Sequence, residues 1–315
     1  MIKVAVTGVG GGCGQGILGA LQLSSLPTRV YAVDITKDSA GLHFPGVIPI
    51  VLPKPELHPE AWEQFVYEQS IDAIIPGSDH DLLPLAQHRR LNGIVSSEDF
   101  VDISNSKSKT AMFSGVRTPE TVFGAIDFDD PESLIHDLPY PLVIKPNFGM
   151  TSRGVHVVNN DAELQFYLKR TEKPVVQRYI GGEEYTCALF FDIDSQYRFG
   201  FQMRRTLYAG TTYTAETTHN PVVEDFMEEC GHAFEQFNPF GAVNIQIKVE
   251  NGLAYLLEIN ARASGSTALR AAFGYNEPEM MLKHFVLKEK INRPYTGNGR
   301  ALRYWSAAII QSEAD

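Results

Sequence analysis

Cysteine is nearly absent: Cys13, Cys187 and Cys230 are the only three in 315 residues, an odd number with no Cys-x-x-Cys spacing. That argues against a disulfide scaffold, suits a reducing compartment, and marks the three as buried thiols. Basic charge is also scarce. There are 27 Lys and Arg against 38 Asp and Glu, a net charge of −11. A general nucleic-acid or anionic-membrane binder needs a basic surface to displace counterions, so neither partner is expected. No apolar stretch approaches the roughly 20 residues that cross a bilayer. The start of the chain enters a strand-like run directly from Met1, without signal-peptide architecture. A soluble, cytoplasmic protein is the expectation. No internal repeat or low-complexity segment breaks the pattern. What is abundant is glycine, 26 residues, within a 43 % apolar composition, enough for two or three compact modules.

The first of these reads as strand, turn and helix. Residues 2–6 form a short, mainly apolar run, the glycine cluster from Gly8 to Gly16 follows, and Ile17, Leu18 and Leu21 keep helical spacing. A second strand at 29–33 closes with Asp34, a helix is predicted over 59–69, and 71–75 is another buried strand. Such alternation predicts a parallel sheet with functional loops at the carboxyl ends of its strands, where Pro76-Gly77-Ser78-Asp79 sits. The polar run Ser104 to Lys109 marks a module boundary before a short helix and the Arg117-Thr118-Pro119 turn. Beyond it lie a strand at 142–145, a glycine turn over 149–154, a strand at 155–158, a helix opening on Asn160 with Glu163 in capping-box position, and a strand at 175–179. From Glu184 the pattern becomes alternating strands with a helix over 222–237. The expected modules are 1–106, a Rossmann-like parallel-sheet unit; 107–180, a small lid; and 181–315, built on an antiparallel sheet.

The segment 242–262 is the most informative. Val243, Ile245, Ile247 and Val249 alternate with Asn244, Gln246 and Lys248; Leu253, Tyr255, Leu257 and Ile259 alternate with Glu258 and Asn260. The apolar set predicts a core face on each strand. A two-residue Asn251-Gly252 loop would pair Gln246 with Leu257 and oppose the two core faces, so a three-residue loop over 250–252 is expected, with Val249 opposite Leu253 and Gln246 diagonal to Glu258. That register gathers the Glu258 carboxylate with the amide oxygens of Gln246 and Asn260, a set suited to magnesium, which takes oxygen ligands and keeps waters and phosphates in its other positions. Arg262 would point the same way and neutralise a phosphoryl group or a carboxylate. The plain alternative is a half-exposed hairpin with a polar outer face. Lys145, at a strand end before Pro146-Asn147-Phe148-Gly149-Met150-Thr151-Ser152-Arg153-Gly154, adds an ammonium and a small-residue loop able to hold polyphosphate.

In order along the chain, these pieces resemble the ATP-grasp superfamily, with a particular likeness to the synthetase domains of the carbamoyl-phosphate synthetase large subunit. The motifs are Lys107 (or Lys109), Ile144-Lys145-Pro146 with its glycine loop, Gln177-Arg178-Tyr179-Ile180-Gly181-Gly182-Glu183-Glu184-Tyr185, Asn244-Ile245-Gln246, and Glu258-Ile259-Asn260-Ala261-Arg262. The resemblance covers nearly the whole chain and implies a mixed α/β and α+β ATP-grasp fold, with ATP and Mg2+ (or Mn2+) as nucleotide and metal. By it, Lys107, Lys145 and Ser152 would meet the phosphates; Gln177, Arg178, Tyr179 and Ile180 would form the adenine hinge; and Glu184 would bond the ribose hydroxyls. Gln246, Glu258 and Asn260 would hold the metal, and Arg262 with Lys145 would act in catalysis. Gln177 replaces a common acid, and Ala261 a proline, without removing a ligand. The implied reaction is ADP-forming: a carboxylate becomes an acyl phosphate, which an amine or similar nucleophile intercepts under a glycine-loop lid. Amino-acid or peptide-like substrates are expected, and a homodimer is common in the family. With one ATP-grasp unit, phosphorylation of a small carboxylate or carbamate is the alternative.

Other signals keep other readings open. The glycines over 8–14 with Asp34 also fit an NAD-dependent oxidoreductase, and a regulatory ATP binder without turnover is a third class. Arg205 could bind a substrate carboxylate and Glu216 or His219 orient an amine, or these lie on a solvated strand pair. Ser264-Gly265-Ser266-Thr267 opens a helix, by anion binding or by simple capping. Asp79, His80 and Asp81 suggest a metal site less than a helix start.

Overall fold

The computed structural model describes residues 1–112, 115–123, 138–149, 153–304 and 306–310. Its first sheet has four parallel strands in the order β3-β2-β1-β4, formed by β1 (Ile2–Val6), β2 (Thr28–Asp34), β3 (Val47–Val51) and β4 (Ala73–Ile75). Helices α1 (Gly12–Gln22) and α2 (Pro59–Gln69) connect its strands, and α3 (Asp79–Gln87) follows β4. α2 matches the expected bounds because Pro59 starts it in the first turn, where a missing N–H costs nothing. β3 and α4 (Glu98–Asn105) are additions to the expected set. Two glycines are fixed by close approach: a Cβ on Gly14 would stand 2.5 Å from the Gly8 carbonyl, and one on Gly77 would stand 2.2 Å from that of Thr7. These glycines let the β1–α1 and β4–α3 turns lie against each other.

The second sheet is antiparallel, in the order β13-β12-β9-β10-β11-β14. Its strands are β9 (Glu183–Phe191), β10 (Tyr197–Tyr208), β11 (Thr211–Thr217), β12 (Gly241–Glu250), β13 (Leu253–Asn260) and β14 (Arg300–Leu302). β9 is buried on both faces from Tyr185 to Phe191, so its sequence is an apolar run broken only by Thr186 rather than an alternation. Helix Pro221–Glu235 lays Val223, Phe226, Met227, Cys230 and Phe234 on this sheet at helical spacing. Phe234 meets Phe100 of α4 with ring centroids 5.5 Å apart. Through α4, the core of the parallel sheet (Ala5, Tyr31, Ile74) runs continuously into that of the antiparallel one (Val243, Ile245, Ile259), each large side chain contributing about 1.5–3 kcal/mol by burial. The short helix expected after the polar run instead begins inside it, as α5 (Lys107–Ala111), capped by Ser106.

A third sheet, β5-β8-β6-β7, is formed by β5 (Thr121–Val122), β6 (Leu142–Pro146), β7 (His156–Val158) and β8 (Pro174–Arg178). Helix Asp161–Leu168 starts at the expected cap, the Asn160 side chain accepting from the Glu163 N–H at 3.0 Å, but the Glu163 carboxylate returns to the Asn159 N–H at 2.8 Å, one residue before the box position. Leu142, Ile144, Val158 and Val176 pack under Leu164 and Leu168 of this helix. Alternation then places Val143, Lys145, Val157 and Gln177 on the opposite face.

The β12–β13 hairpin corrects the expected loop. Glu250 pairs with Leu253, so the turn is the two-residue Asn251-Gly252, with φ of 51° and 75°. The conflict between core faces is resolved further along, by a bulge: Ile247 pairs with Leu256, but Gln246 pairs with Glu258, leaving Leu257 as the extra residue. Before the bulge, Ala254 and Leu256 face the core; after it, Ile259 does. Leu253, Tyr255 and Leu257 are therefore not core residues, contrary to the simple alternation, and Leu253 is exposed. The bulge brings Gln246 directly opposite Glu258.

Candidate functional site

The third sheet turns its bare face toward the β12–β13 hairpin, and the gap between them is a slot of about 240 Å3. Its walls are apolar, from Val143, Val155, Val157, Leu207 and Leu257, and its ends are polar. The segment 177–180, expected as the hinge, forms one edge. Gln177 is fixed by its amide donating to Thr121 Oγ1 at 2.8 Å. Arg178 donates to Glu250 at 2.8 Å, Gly181 N–H donates to the same carboxylate at 2.7 Å, and Lys248 Nζ donates to the Ile180 carbonyl at 3.0 Å. Tyr179 N–H is taken by the Pro141 carbonyl at 3.2 Å. Ile180 is buried, and its N–H finds no acceptor among the described residues. Glu184 receives Arg205 at 2.9 and 2.6 Å, both bonds on Oε1, which leaves Oε2 open to the slot.

Lys145 is 8 % exposed, yet no described residue gives it a hydrogen bond or an ion pair. Burial pushes its ammonium down to about 8; Glu258 works against that shift and Lys107 adds to it. Lys107 lines the same slot and donates to the Gly149 carbonyl at 2.9 Å. Lys109 instead pairs with Asp102 on the surface, so of the two candidate lysines the structure brings Lys107 to the slot. Ser152 lies outside the described residues.

Gln246 and Glu258 line both this slot and a second cavity of about 790 Å3, reached past Pro146, Gly149 and Arg153. Neither side chain has a hydrogen-bond partner among the described residues. Free oxygens from a carboxylate and an amide at this junction fit a hard divalent cation. Asn260 is beside them, its Oδ1 accepting from Arg262 at 3.2 Å. Arg262 is buried and lines the large cavity, tied to Asp79 at 2.5 Å, Cys13 Sγ at 3.1 Å and the Ala263 carbonyl at 3.0 Å, with its Nε unpartnered.

Several expectations change in this cavity. Cys13 is not a core thiol like Cys187 and Cys230 but a wall residue, half-buried beside Arg262. Asp79 and Asp81 do open α3, under the Ser78 cap, while Asp79 also anchors Arg262 and Asp81 accepts from Thr7 at 2.6 Å. Burial, resisted by the Thr7 hydrogen bond, lifts Asp81 to about 6. Arg205 is neutralised by Glu184, and Arg204 and His219 are exposed partners of Glu183, Glu216 and Glu224. Ser266 bonds Thr212 rather than capping the following helix. Both Asp34 oxygens accept backbone N–H groups, from Gly10 at 2.7 Å and Ile35 at 2.8 Å, and the residue lines the large cavity. Glu250 and Lys248, which shape the hinge, carried no sequence signal because their partners lie some 70 positions away.

The family model of the ATP-grasp domain matches residues 112–266. The carbamoyl phosphate synthase large chain of Sulfurisphaera tokodaii is 26 % identical over 164 residues, 48 % of this chain and 16 % of that one. The D-alanine--D-alanine ligase of Bacillus anthracis is 26 % identical over 175 residues, 50 % of this chain and 55 % of that one. The chain thus spans about a sixth of the former and about half of the latter. Among solved structures, the biotin carboxylase of Campylobacter jejuni, in a β,γ-ATP complex, superposes with a TM-score of 0.76 at 17 % identity, covering 95 % of this chain and 74 % of that one. Among the described residues no helix is long and apolar enough to cross a membrane. Segment 177–180, the buried lysine and the oxygen-lined junction all lie within the matched residues: this chain carries an ATP-grasp domain and has the fold of the ATP-grasp enzymes.

Proposed function

We propose that the protein is an ADP-forming ligase that phosphorylates a carboxylate and delivers the acyl group to an amine or similar nucleophile. The observation that carries this reading is Lys145, a buried cation that no described residue meets with a hydrogen bond or an ion pair, on the wall of an apolar slot that opens onto free carboxylate and amide oxygens. An uncompensated buried ammonium is costly, and a polyphosphate is the ligand that would relieve it.

In this reading adenine lies between Val143, Val157 and Leu257 and accepts from the Ile180 N–H, while Glu184 Oε2 takes a ribose hydroxyl. Lys107 and Lys145 meet the phosphates, together with the loop bearing Ser152. Gln246, Glu258 and Asn260 are the residues that would hold magnesium, which neutralises charge on phosphoryl oxygens when bound. The carboxylate substrate sits in the large cavity beyond the junction, near Arg262. A carboxylate oxygen forms a bond to the γ-phosphorus, the bond from that phosphorus to the β-bridging oxygen breaks, and ADP leaves. An amine then attacks the acyl carbon, phosphate departs, and the amine's proton goes to solvent or to phosphate. The cavity is several times larger than the nucleotide slot, which favours amino-acid or peptide-like substrates over a bicarbonate-sized one.

Hydroxylamine replaces the unidentified nucleophile in a direct test. Protein, magnesium-ATP, hydroxylamine and a panel of amino acids, dipeptides and small carboxylates should yield a hydroxamate and ADP in equal amounts for at least one panel member. Glu258→Ala should lower that rate by at least about 10³-fold with an unchanged circular dichroism spectrum. Near-normal rates in the variant would remove the metal assignment, and nicotinamide-dependent absorbance change without ADP would favour the oxidoreductase alternative.

A further inference from the structure

Asn244 lies two residues before Gln246 on β12 and directly opposite Asn260, and it lines the large cavity but not the nucleotide slot. It is 2 % exposed. Its side chain resembles a further oxygen ligand for the junction, but its partners exclude that. Asn244 Oδ1 accepts from Thr186 Oγ1 at 2.9 Å and from Arg270 Nη2. Thr186 Oγ1 itself accepts from Arg270 at 2.8 Å, so its single hydrogen is the one given to Asn244. Arginine is a donor only, so the amide cannot be turned the other way without facing N–H to N–H. Both lone pairs of the Asn244 oxygen are therefore used. Its NH2 makes no hydrogen bond to a described residue, and it is not among the enclosed polar atoms that lack partners, so it reaches the cavity.

Arg270 is held in turn by Glu277 at 2.9 Å, and both residues are 0 % exposed. A fully buried ion pair is a poor source of stability and a good source of orientation. Here it orients one amide. Two residues of strand separate Asn244 from Gln246, about 7 Å, which sets the donor just past the junction on the acceptor side.

Resting on the ligase reading above, we infer that Asn244 is a substrate-contacting residue: its NH2 donates to an oxygen of the substrate carboxylate and of the acyl phosphate formed from it. Arg270, backed by Glu277, is the positioning residue that keeps the donor, not the acceptor, turned toward the substrate. The cavity wall thus divides by polarity: Gln246 and Glu258 present acceptors to a cation, and Asn244 presents a donor to an anion.

Asn244→Asp keeps the shape and the contact to Arg270 but replaces the donor with a carboxylate oxygen. It should slow hydroxamate formation by about 10²–10³-fold, the usual loss of one oxyanion donor, while the dissociation constant of a non-hydrolysable ATP analogue stays within about twofold of wild type. Arg270→Met combined with Glu277→Met frees the amide to turn; it should raise KM for the carboxylate with little change in analogue affinity, and Arg270→Lys, still a donor, should retain most activity. Crystals of the full chain grown with magnesium, ADP and acetate provide an arm that needs no turnover. Acetate oxygen on Asn244 Nδ2 in wild type, lost in Asn244→Asp, supports the assignment even if no panel carboxylate is activated, in which case the ligase reading alone fails. Normal hydroxamate rates in Asn244→Asp, or acetate-soaked crystals with no acetate at Nδ2, overturn it and leave the ligase reading standing.

Discussion

Two buried cations in this protein are in opposite circumstances. Arg270 is wholly enclosed and paired: a carboxylate, a hydroxyl and an amide oxygen accept from its two terminal nitrogens, and only its Nε has no partner. Lys145 is nearly as enclosed and has no described partner, and burial drives its affinity for a proton down to about 8. The first arrangement is that of a strut, in which a charge removed from water is matched by fixed acceptors. The second leaves a charge unmatched within the fold, which on the proposed reading an incoming polyphosphate would match. The difference sets a charge matched within the fold apart from one on which the ligase reading rests.

That contrast breaks or sharpens under substitution. Arg270→Met alone leaves Glu277 buried and unpaired, and it should cost about 3–5 kcal/mol of stability in denaturant unfolding; a loss well below that would mean Glu277 finds another partner or a proton. Lys145→Met should do the reverse. The folded-state pKa of Lys145 is lowered, from 10.5 to about 8, so its charge burdens the fold below about pH 8, and the burden fades as pH rises from there toward 10.5. The variant should therefore be more stable than wild type by up to about 3 kcal/mol at pH 7, the gap closing above pH 8. Equal melting temperatures across that range would contradict the assigned burial. The smallest effect concerns the hairpin that carries the junction: a Cβ on Gly252 meets open space, but φ is +75°, so Gly252→Ala should cost only about 1 kcal/mol and leave nucleotide affinity intact.

The same contrast explains what the sequence displayed. Elements with one buried face and one open face were legible: α2 and the cap at Asn160 follow from local pattern, and Gln246 and Glu258 were expected as diagonal neighbours, where the structure pairs them directly. The route to that pairing was not. Alternation cannot reveal which of Leu256, Leu257 or Glu258 is the bulged residue, because an extra residue inverts the faces on one side only. Lys145 was visible as a residue, but its isolation was not, since being unpartnered is a property of everything around it. The Asn244 amide looked like its neighbour Gln246 in sequence; only Thr186, Arg270 and Glu277, scattered over 91 positions, reveal that its oxygen is used. Long-range partners of this kind also hid Asp79 behind Arg262 and Glu250 behind Gly181.

The most direct measurement is calorimetric titration of magnesium-ADP at pH 8 in two buffers of different ionisation heat. Phosphate beside Lys145 restores its proton, so wild type should take up about half a proton on binding, and Lys145→Met should bind far more weakly and take up none. Binding of undiminished strength in Lys145→Met, with the same proton balance as wild type, would contradict the account.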